Sequence, residues 1–205
     1  MSRFNRAVAL FSLLAVALLP AARGHADKPL LFNGSDLDNW KVDKEEAADH
    51  WTVSDGMIIG DNVDKVGSNL WTKRDFGDYE LELEYMTPSP DYDSGVYARG
   101  PSHQIQIGIS RSLKEDLTAC IYAPKDKQGK YPAVSDKIKD VHKLNEWNRL
   151  KIVAQGKRIK TYLNGELFVD YETVTMPEKG PIGLQLHGGV HQKMFFRNIQ
   201  FKELD

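Results

Sequence analysis

The sequence has a single cysteine, Cys120, and this scarcity excludes an internal disulfide framework. No segment has about 18 consecutive apolar residues, so no membrane-spanning helix is expected. Phosphate-binding loops, G-x-S-x-G and C-x-x-C motifs are also absent. The fold must therefore be stabilised by core packing, and Cys120 is interpreted as a small buried filler without a chemical role.

The first 26 residues have the features of an export signal. Arg3 and Arg6 precede the apolar run 7–19, and the small-residue segment 24–26 follows Pro20. We expect cleavage after Ala26, which leaves residues 27–205 as a soluble domain in the bacterial periplasm or outside the cell. This length fits one domain with its own core.

The charge of the mature chain is negative. The predicted signal removes three arginines and no acidic residue from 27 basic and 29 acidic residues, so the net charge falls from −2 to −5 with histidine neutral. A negative surface repels phosphate backbones. A nucleic-acid partner is therefore not expected.

Short runs rich in β-branched and aromatic residues recur between turn signals, which is the pattern of an all-β domain. The pairs Asn-Gly at 164–165, Gln-Gly at 155–156 and Asp-Gly at 55–56 predict hairpins, because these residues accept the positive φ angles of tight turns. Residues 135–145 are the one fair helix candidate, with Ile138, Val141 and Leu144 on one face.

More than ten short strands in one domain require two stacked sheets or a closed barrel. Long excursions between strands, such as residues 124–146, favour a jelly-roll β-sandwich.

Four of the predicted strands place polar side chains on one face and apolar side chains on the other. In the last of them, Gln185 and His187 alternate with Leu184 and Leu186. The polar positions of the four strands are Glu80, Glu82 and Glu84; Tyr97 and Arg99; Gln104 and Gln106; and Gln185 and His187. If the strands are neighbours, they present donors and acceptors for a hydroxyl-rich ligand.

The alternative interpretation is that these positions are the solvated faces of antiparallel strands. This alternative is favoured for Glu80 and Glu82. The binding interpretation is strengthened for Arg99 and His187, because glycines beside both would allow a ligand to approach the backbone closely.

The sequence contains no convincing metal motif. His187 and His191 are four residues apart, but Gly188 and Gly189 argue against a helix that would place them together. The pairs Asp36/Asp38 and Asp91/Asp93 do not continue into a calcium-binding loop and are interpreted as turn residues. No metal or other cofactor is predicted.

Seven blocks in the order of the chain together resemble the family once called DUF1080, now named for 3-keto-disaccharide hydrolase. They are LFNGSDLDNW (31–40), DYELELEY (78–85), DSGVYAR (93–99), EWN (146–148), LNG (163–165), GPIGLQLH (180–187) and FRNI (196–199). The resemblance implies a concanavalin A-like jelly roll in an exported bacterial protein. It also implies action on a small carbohydrate substrate, a glycoside whose C3 hydroxyl has been oxidised to a ketone. Where members often read Glu-x-Gln-Ile-x-Asp, this chain has Gln104 and Ile109 in place of the two acids and keeps Gln106.

The mechanism implied is removal of the C2 proton, β-elimination of the C1 substituent and hydration of the glycal. We expect Glu84 or His187 to act as base and acid, and Arg99 to hold the C3 oxygen. Hydrogen bonds to sugar hydroxyls are assigned to Tyr97, Gln106 and Gln185, and stacking on the ring to Tyr122 or Trp71. A non-catalytic glycan-binding module and a purely structural domain remain the alternatives.

Overall fold

The computed structural model describes residues 31–126 and 129–204. The predicted signal and its cleavage site lie outside the described residues. The strands are β1 (Trp40–Val42), β2 (Trp51–Ser54), β3 (Met57–Asp61), β4 (Ser68–Thr72), β5 (Tyr79–Met86), β6 (Asp93–Tyr97), β7 (Gln104–Ser110), β8 (Glu115–Asp116), β9 (Ile121–Tyr122), β10 (Asn148–Gln155), β11 (Arg158–Leu163), β12 (Glu166–Glu172), β13 (Gly183–Leu186) and β14 (Lys193–Glu203). A 3-10 helix spans Glu45–His50, and α1 spans Ile138–Val141.

The strands form two antiparallel sheets of seven strands each, as the all-β sandwich prediction requires. The first sheet has the order β1-β4-β13-β6-β7-β8, and β9 also pairs with β7. The second sheet has the order β12-β11-β10-β5-β14-β3-β2. Strands that follow one another in the chain therefore often belong to different sheets, as in a jelly roll.

The core lies between the two sheets. Leu81 and Leu83 of β5 enter it from the second sheet, and Ile105 and Ile107 of β7 enter it from the first. Each of these strands alternates buried apolar residues with polar ones, so the polar residues of the two sheets point to opposite sides of the molecule.

The hairpin predictions are confirmed. Strands β10, β11 and β12 form a meander, and β2 pairs with β3. Asn164 and Gly165 have φ angles of 50° and 92°, and Asp55 and Gly56 have 52° and 73°. These are the left-handed values that tight hairpins need.

The helix prediction for residues 135–145 is wrong in extent. Only α1 is helical, with Ile138 buried against the core and Leu144 64% exposed. The chain becomes extended at His142, and the side chain of Asn148 then bonds both the N–H and the C=O of Lys143. The side-chain amide thus takes up main-chain groups that a longer helix would have used.

Candidate functional site

Three neighbouring strands of the first sheet, β13, β6 and β7, carry a polar face that points away from the core. Leu184 and Leu186 are buried in the core, whereas Gln185 and His187 line a cavity of ≈ 340 Å³ on the other side. The alternation predicted for this strand is therefore confirmed. We refer to this cavity as the groove.

The groove brings together most of the binding residues that the sequence predicted. Of those residues, its lining contains Tyr97, Gln106, Tyr122, Gln185 and His187. Trp71 of β4 lies beside it and stacks on Tyr97, with 5.0 Å between ring centroids and 25° between ring planes. Five of the predicted residues therefore line the groove, and the sixth contacts one of them.

The sequence assigned no role to the other lining residues, although it placed Gln104 on the polar face. They are Asp93, Gln104, Ser110, Arg111, Ser112, Lys130 and Tyr131. The interpretation of Asp93 as a turn residue is wrong, because it begins β6 and continues the alternation of Gly95 and Tyr97. The two-residue period of the strand could therefore have placed Asp93 on the polar face from the sequence alone. No periodicity could have identified Arg111, Lys130 or Tyr131, because they lie outside the strands.

Two glycines make room for the large side chains of this face. In register, Gly183 lies between Trp71 and Tyr97, and a Cβ on it would come within 2.6 Å of the Trp71 ring. Gly95 lies beside Gln106 and Gln185, and a Cβ there would be 2.2 Å from Gln104 Nε2. The side chains of neighbouring strands therefore occupy the space above these glycines.

One half of the groove is a chain of amide and phenol groups. Gln104 Nε2 donates to Gln185 Oε1 at 2.8 Å, and Gln185 Nε2 donates to the Tyr97 hydroxyl at 2.6 Å. Burial raises the pKa of Tyr97 to about 12, so the phenol keeps its proton at neutral pH. Because this hydroxyl accepts from Gln185, its proton can be donated to a ligand oxygen.

The other half contains a carboxylate and an imidazole. Asp93 is buried, and its Oδ1 accepts from Gln106 Nε2 at 2.8 Å. Its Oδ2 accepts from the main-chain N–H of Arg111 at 3.2 Å. The same oxygen lies 3.9 Å from the side-chain Nε of Arg111 and 3.9 Å from His187 Nε2. Burial also raises the pKa of Tyr131 to about 12, and this phenol reaches Gln106 Oε1 at 3.4 Å.

The tautomer of neutral His187 follows from its neighbours. His187 Nδ1 lies 2.6 Å from the carbonyl oxygen of Gly188, which can only accept, so Nδ1 carries the proton. Nε2 is then an unprotonated nitrogen beside Asp93. The imidazole is 42% exposed and can reach a ligand in the groove.

The prediction that Glu84 shares this surface is wrong. Its strand, β5, belongs to the second sheet, where its apolar residues face the same core from the opposite side. Glu84 Oε2 accepts from Arg197 Nε at 2.7 Å and from Asn198 Nδ2 at 2.9 Å. On the same face, Glu80 pairs with Lys151 and Glu82 with Arg149, so the solvated interpretation of these two residues is correct.

The prediction that Arg99 lines the groove is also wrong. Its side chain is 1% exposed, and β6 ends two residues before it. The guanidinium donates to the carbonyl oxygens of Gly77, Ala154, Gly156 and Pro177 and to Asp78 Oδ1. It is a buried structural link between loops of the two sheets.

Cys120 is buried, as its interpretation as a filler requires, and burial raises the pKa of its thiol to about 11. Within residues 31–126 and 129–204, no three His, Cys, Asp or Glu side chains are grouped as they would be to hold a metal ion. His191 bonds Asp61 at 3.0 Å instead of joining His187.

A family model for the 3-keto-alpha-glucoside-1,2-lyase-like domain matches residues 28–202. No protein with a curated description matches the chain.

Several solved structures share the fold. A candidate glycosyl hydrolase from Parabacteroides distasonis ATCC 8503 is 22% identical, with a TM-score of 0.58 over 85% of this chain and 93% of that one. The carbohydrate-binding module CBM66 from Bacillus subtilis is 14% identical, with a TM-score of 0.53 over 85% of this chain and 100% of that one. At these identities the likeness concerns the fold, a jelly-roll sandwich shared with carbohydrate-related proteins.

None of the described helices has the length and apolar character needed to cross a bilayer.

Proposed function

Because this chain belongs to the 3-keto-alpha-glucoside-1,2-lyase-like family, we propose that its groove cleaves glycosides whose C3 hydroxyl has been oxidised to a ketone. The ketone acidifies the C2 proton. A base removes that proton, the C1=C2 double bond forms, and the bond from C1 to the leaving oxygen breaks as this oxygen takes up a proton. Water then adds its hydroxyl at C1 and its proton at C2, so the sum is hydrolysis without an oxidant or reductant.

The observation that supports this proposal most directly is the state of His187. In the neutral imidazole the Gly188 carbonyl holds the Nδ1 proton, which leaves the lone pair on Nε2, partly exposed and 3.9 Å from Asp93 Oδ2. Such an imidazole can take a proton from a ligand, and the adjacent carboxylate stabilises the imidazolium that forms. His187 thus keeps the acid–base role expected from the sequence, and Asp93 replaces Glu84 as its partner.

The remaining groove residues would hold the sugar. Tyr97 can donate its proton to a ligand oxygen, and Gln185 and Gln104 fix its orientation. Arg111 supplies positive charge near Asp93 and the developing oxyanion, the function that had been expected of Arg99. Tyr122 and Tyr131, whose ring centroids are 5.1 Å apart, offer an aromatic surface to the sugar ring.

The decisive experiment is incubation of residues 27–205 with 3-keto-trehalose and detection of free 3-keto-glucose. We expect His187→Gln to lower kcat by about 10²-fold or more, because general acid–base catalysis contributes on that scale. Asp93→Asn should also lower kcat, since it removes the charge that stabilises the imidazolium. His191→Gln is the matched control, because His191 lies outside the groove lining. Equal turnover by the His187 and His191 variants would refute the proposed role.

A second candidate function is sugar binding without catalysis. One observation favours it: among the groove-lining residues that the structure describes, Asp93 is the single carboxylate. The likeness to a carbohydrate-binding module is compatible with it. Calorimetric binding of unoxidised disaccharides, with no product from 3-keto-trehalose, would favour this second function.

We also propose that the protein acts after export, in the periplasm or outside the cell. The basic, apolar and small-residue order of the first 26 residues supports this placement. N-terminal sequencing of the protein from a bacterial host should give Asp27 as the first residue.

A further inference from the structure

We propose that Gln192 and Asn62, which lie behind the groove and not in its lining, are positioning residues that hold Asp93 and His187 at their working distance. This inference rests on the proposed function of those two residues. It concerns the main chain beneath them, which the proposed chemistry does not itself use.

Gln192 bonds the main chain of Asp93 through both ends of its amide. Its Oε1 accepts from the Asp93 N–H at 2.8 Å, and its Nε2 donates to the Asp93 carbonyl at 2.8 Å. A neighbouring strand would supply the same pair of bonds to a residue in a sheet. Nε2 also lies 3.4 Å from the carbonyl oxygen of His187. One side chain therefore touches the backbone of both groove residues.

Asn62 holds the main chain of Gln192 in turn and also bonds His187. Its Oδ1 accepts from the Gln192 N–H at 2.9 Å, and its own N–H donates to the Gln192 carbonyl at 3.3 Å. Its Nδ2 donates to the His187 carbonyl at 3.1 Å and to the Val66 carbonyl at 3.2 Å. The His187 carbonyl thus receives a donor from each of the two amides.

These bonds act where the pairing of β6 with β13 ends, on the side of Asp93 opposite to its pairing with Gly108 of β7. The last ladder pair of β13 with β6 is Leu186 with Ser94, so Asp93 and His187 lie just beyond it. The main-chain bond from the His187 N–H to the Asp93 carbonyl, at 3.2 Å, is the direct link between them. Gly188 and Gly189 follow, and the chain turns away at Gly189, which has a φ of 83° and donates to the Lys65 carbonyl at 2.8 Å.

The burial of both amides indicates a specific role. Gln192 and Asn62 are 0% exposed, and a buried amide is tolerated only when its donors and acceptors are satisfied. In both residues, the side-chain oxygen and nitrogen are bonded within this cluster. The cluster therefore fixes two backbone positions whose side chains meet at 3.9 Å in the groove.

The test uses Gln192→Met in residues 27–205, with Gln200→Met as the matched control. Gln200 is an exposed glutamine on β14. We expect the Gln192 variant to lose about 10²-fold in kcat on 3-keto-trehalose with KM changed by less than about twofold, because a small misplacement of reacting groups is enough for such a loss. The control should match the wild-type chain.

A second measurement does not depend on turnover. The imidazole resonances of His187, followed by NMR in the folded protein, should move in Gln192→Met and stay in place in Gln200→Met. If the wild-type chain does not cleave the 3-keto-sugar, the proposed function fails, and these resonances alone decide the positioning role.

Asn62→Asp is the second test variant, to be used if Gln192→Met does not fold. It keeps the acceptor for the Gln192 N–H and removes the donors to His187 and Val66, so the His187 resonances should again move. Unmoved His187 resonances in the folded protein, with activity lost only in proportion to the unfolded fraction, would overturn the inference.

Discussion

At the scale of single residues, the glycines beside Arg99 and His187 have different purposes. Beside Arg99, glycine allows two chain segments to approach each other. Gly100 donates to the Pro181 carbonyl, and on the facing segment a Cβ on Gly180 would lie 2.4 Å from the Arg99 carbonyl carbon and oxygen. Gly188 accepts from the imidazole of His187 through its carbonyl. Glycine at a polar residue therefore indicates close packing, and only the fold shows whether a ligand or another segment is packed there.

Arg99→Ala should mainly destabilise the fold. The substitution removes five hydrogen bonds and leaves Asp78 and four carbonyl oxygens without this partner. A hydrogen bond to a charged group contributes about 1.5–3 kcal/mol, so the loss of five such bonds removes a large part of the stability of a single domain. Urea unfolding measures this loss directly.

The matched control for this prediction is Arg74→Ala. Arg74 is exposed and pairs with Glu203 at 3.2 Å, so its loss should change the free energy of unfolding by less than about 1 kcal/mol. Equal unfolding midpoints for the two variants would contradict a structural role for Arg99.

At the scale of the element, the strands that carry the groove depend on glycines within them as much as on their polar residues. Gly95 and Gly183 have no side chain on the groove face, so Gln104, Tyr97 and Trp71 can meet above them. The alternation of β13 and β7 was predictable because it is local. The contact between Gln104 and Gln185 was not, because it joins strands separated by β6.

Gly95→Ala should weaken sugar binding without unfolding the protein. The new Cβ would lie 2.2 Å from Gln104 Nε2 and 2.7 Å from its Cγ, so the glutamine side chain must move and its bond to Gln185 is lost. Loss of this one ordered bond predicts about tenfold weaker binding, equivalent to about 1.4 kcal/mol. The KM for 3-keto-trehalose, or calorimetry with an unoxidised disaccharide, measures the change.

Gly77→Ala is the matched glycine for that experiment. A Cβ there would meet only the Glu178 carbonyl oxygen, at 3.8 Å, so both binding and stability should stay near wild type. Unchanged affinity in Gly95→Ala would show that the amide chain from Gln104 to Tyr97 does not contribute to the ligand site.

At the scale of the whole molecule, a buried polar cluster joins the ends of the two sheets. His103, just before β7 of the first sheet, lies 2.6 Å from the hydroxyl of Thr173, just after β12 of the second. Thr173 donates its proton to Asp126 Oδ2 at 2.8 Å, so His103 Nε2 must donate to Thr173. Ser102 then donates to His103 Nδ1 at 2.9 Å, so both ring nitrogens are bonded as the neutral imidazole requires.

This cluster predicts a loss of stability in mild acid. Burial lowers the pKa of His103 below its ordinary value of 6.5, against an opposing effect of Asp126. As the pH falls below about 6.5, the unfolded chain binds a proton that the folded protein does not, so the folded state loses up to about 1.4 kcal/mol per pH unit. Above that pH both states have neutral His103 and this contribution does not change.

Urea unfolding at pH 7.5, 6.5 and 5.5 tests this prediction when the wild-type chain is compared with His103→Gln. The wild type should be more stable at pH 7.5, and its advantage should shrink as the pH falls. The other histidines are common to both proteins, so their titration cancels in the comparison. A constant difference in unfolding free energy across the three values would show that His103 does not titrate as proposed.

The local pattern of the sequence was enough to establish the all-β class, the hairpins at 55–56, 155–156 and 164–165, and the placement of Gln185 and His187 opposite Leu184 and Leu186. Each of these depends on the two-residue period of a strand or on the φ angles of a turn, which neighbouring residues determine. Only the tertiary structure decided that β5 and β6 belong to opposite sheets and that β6 ends before Arg99. Sheet membership is set by pairing between distant segments, so Glu84 lies on the far side of the molecule and Asp93 lies beside His187.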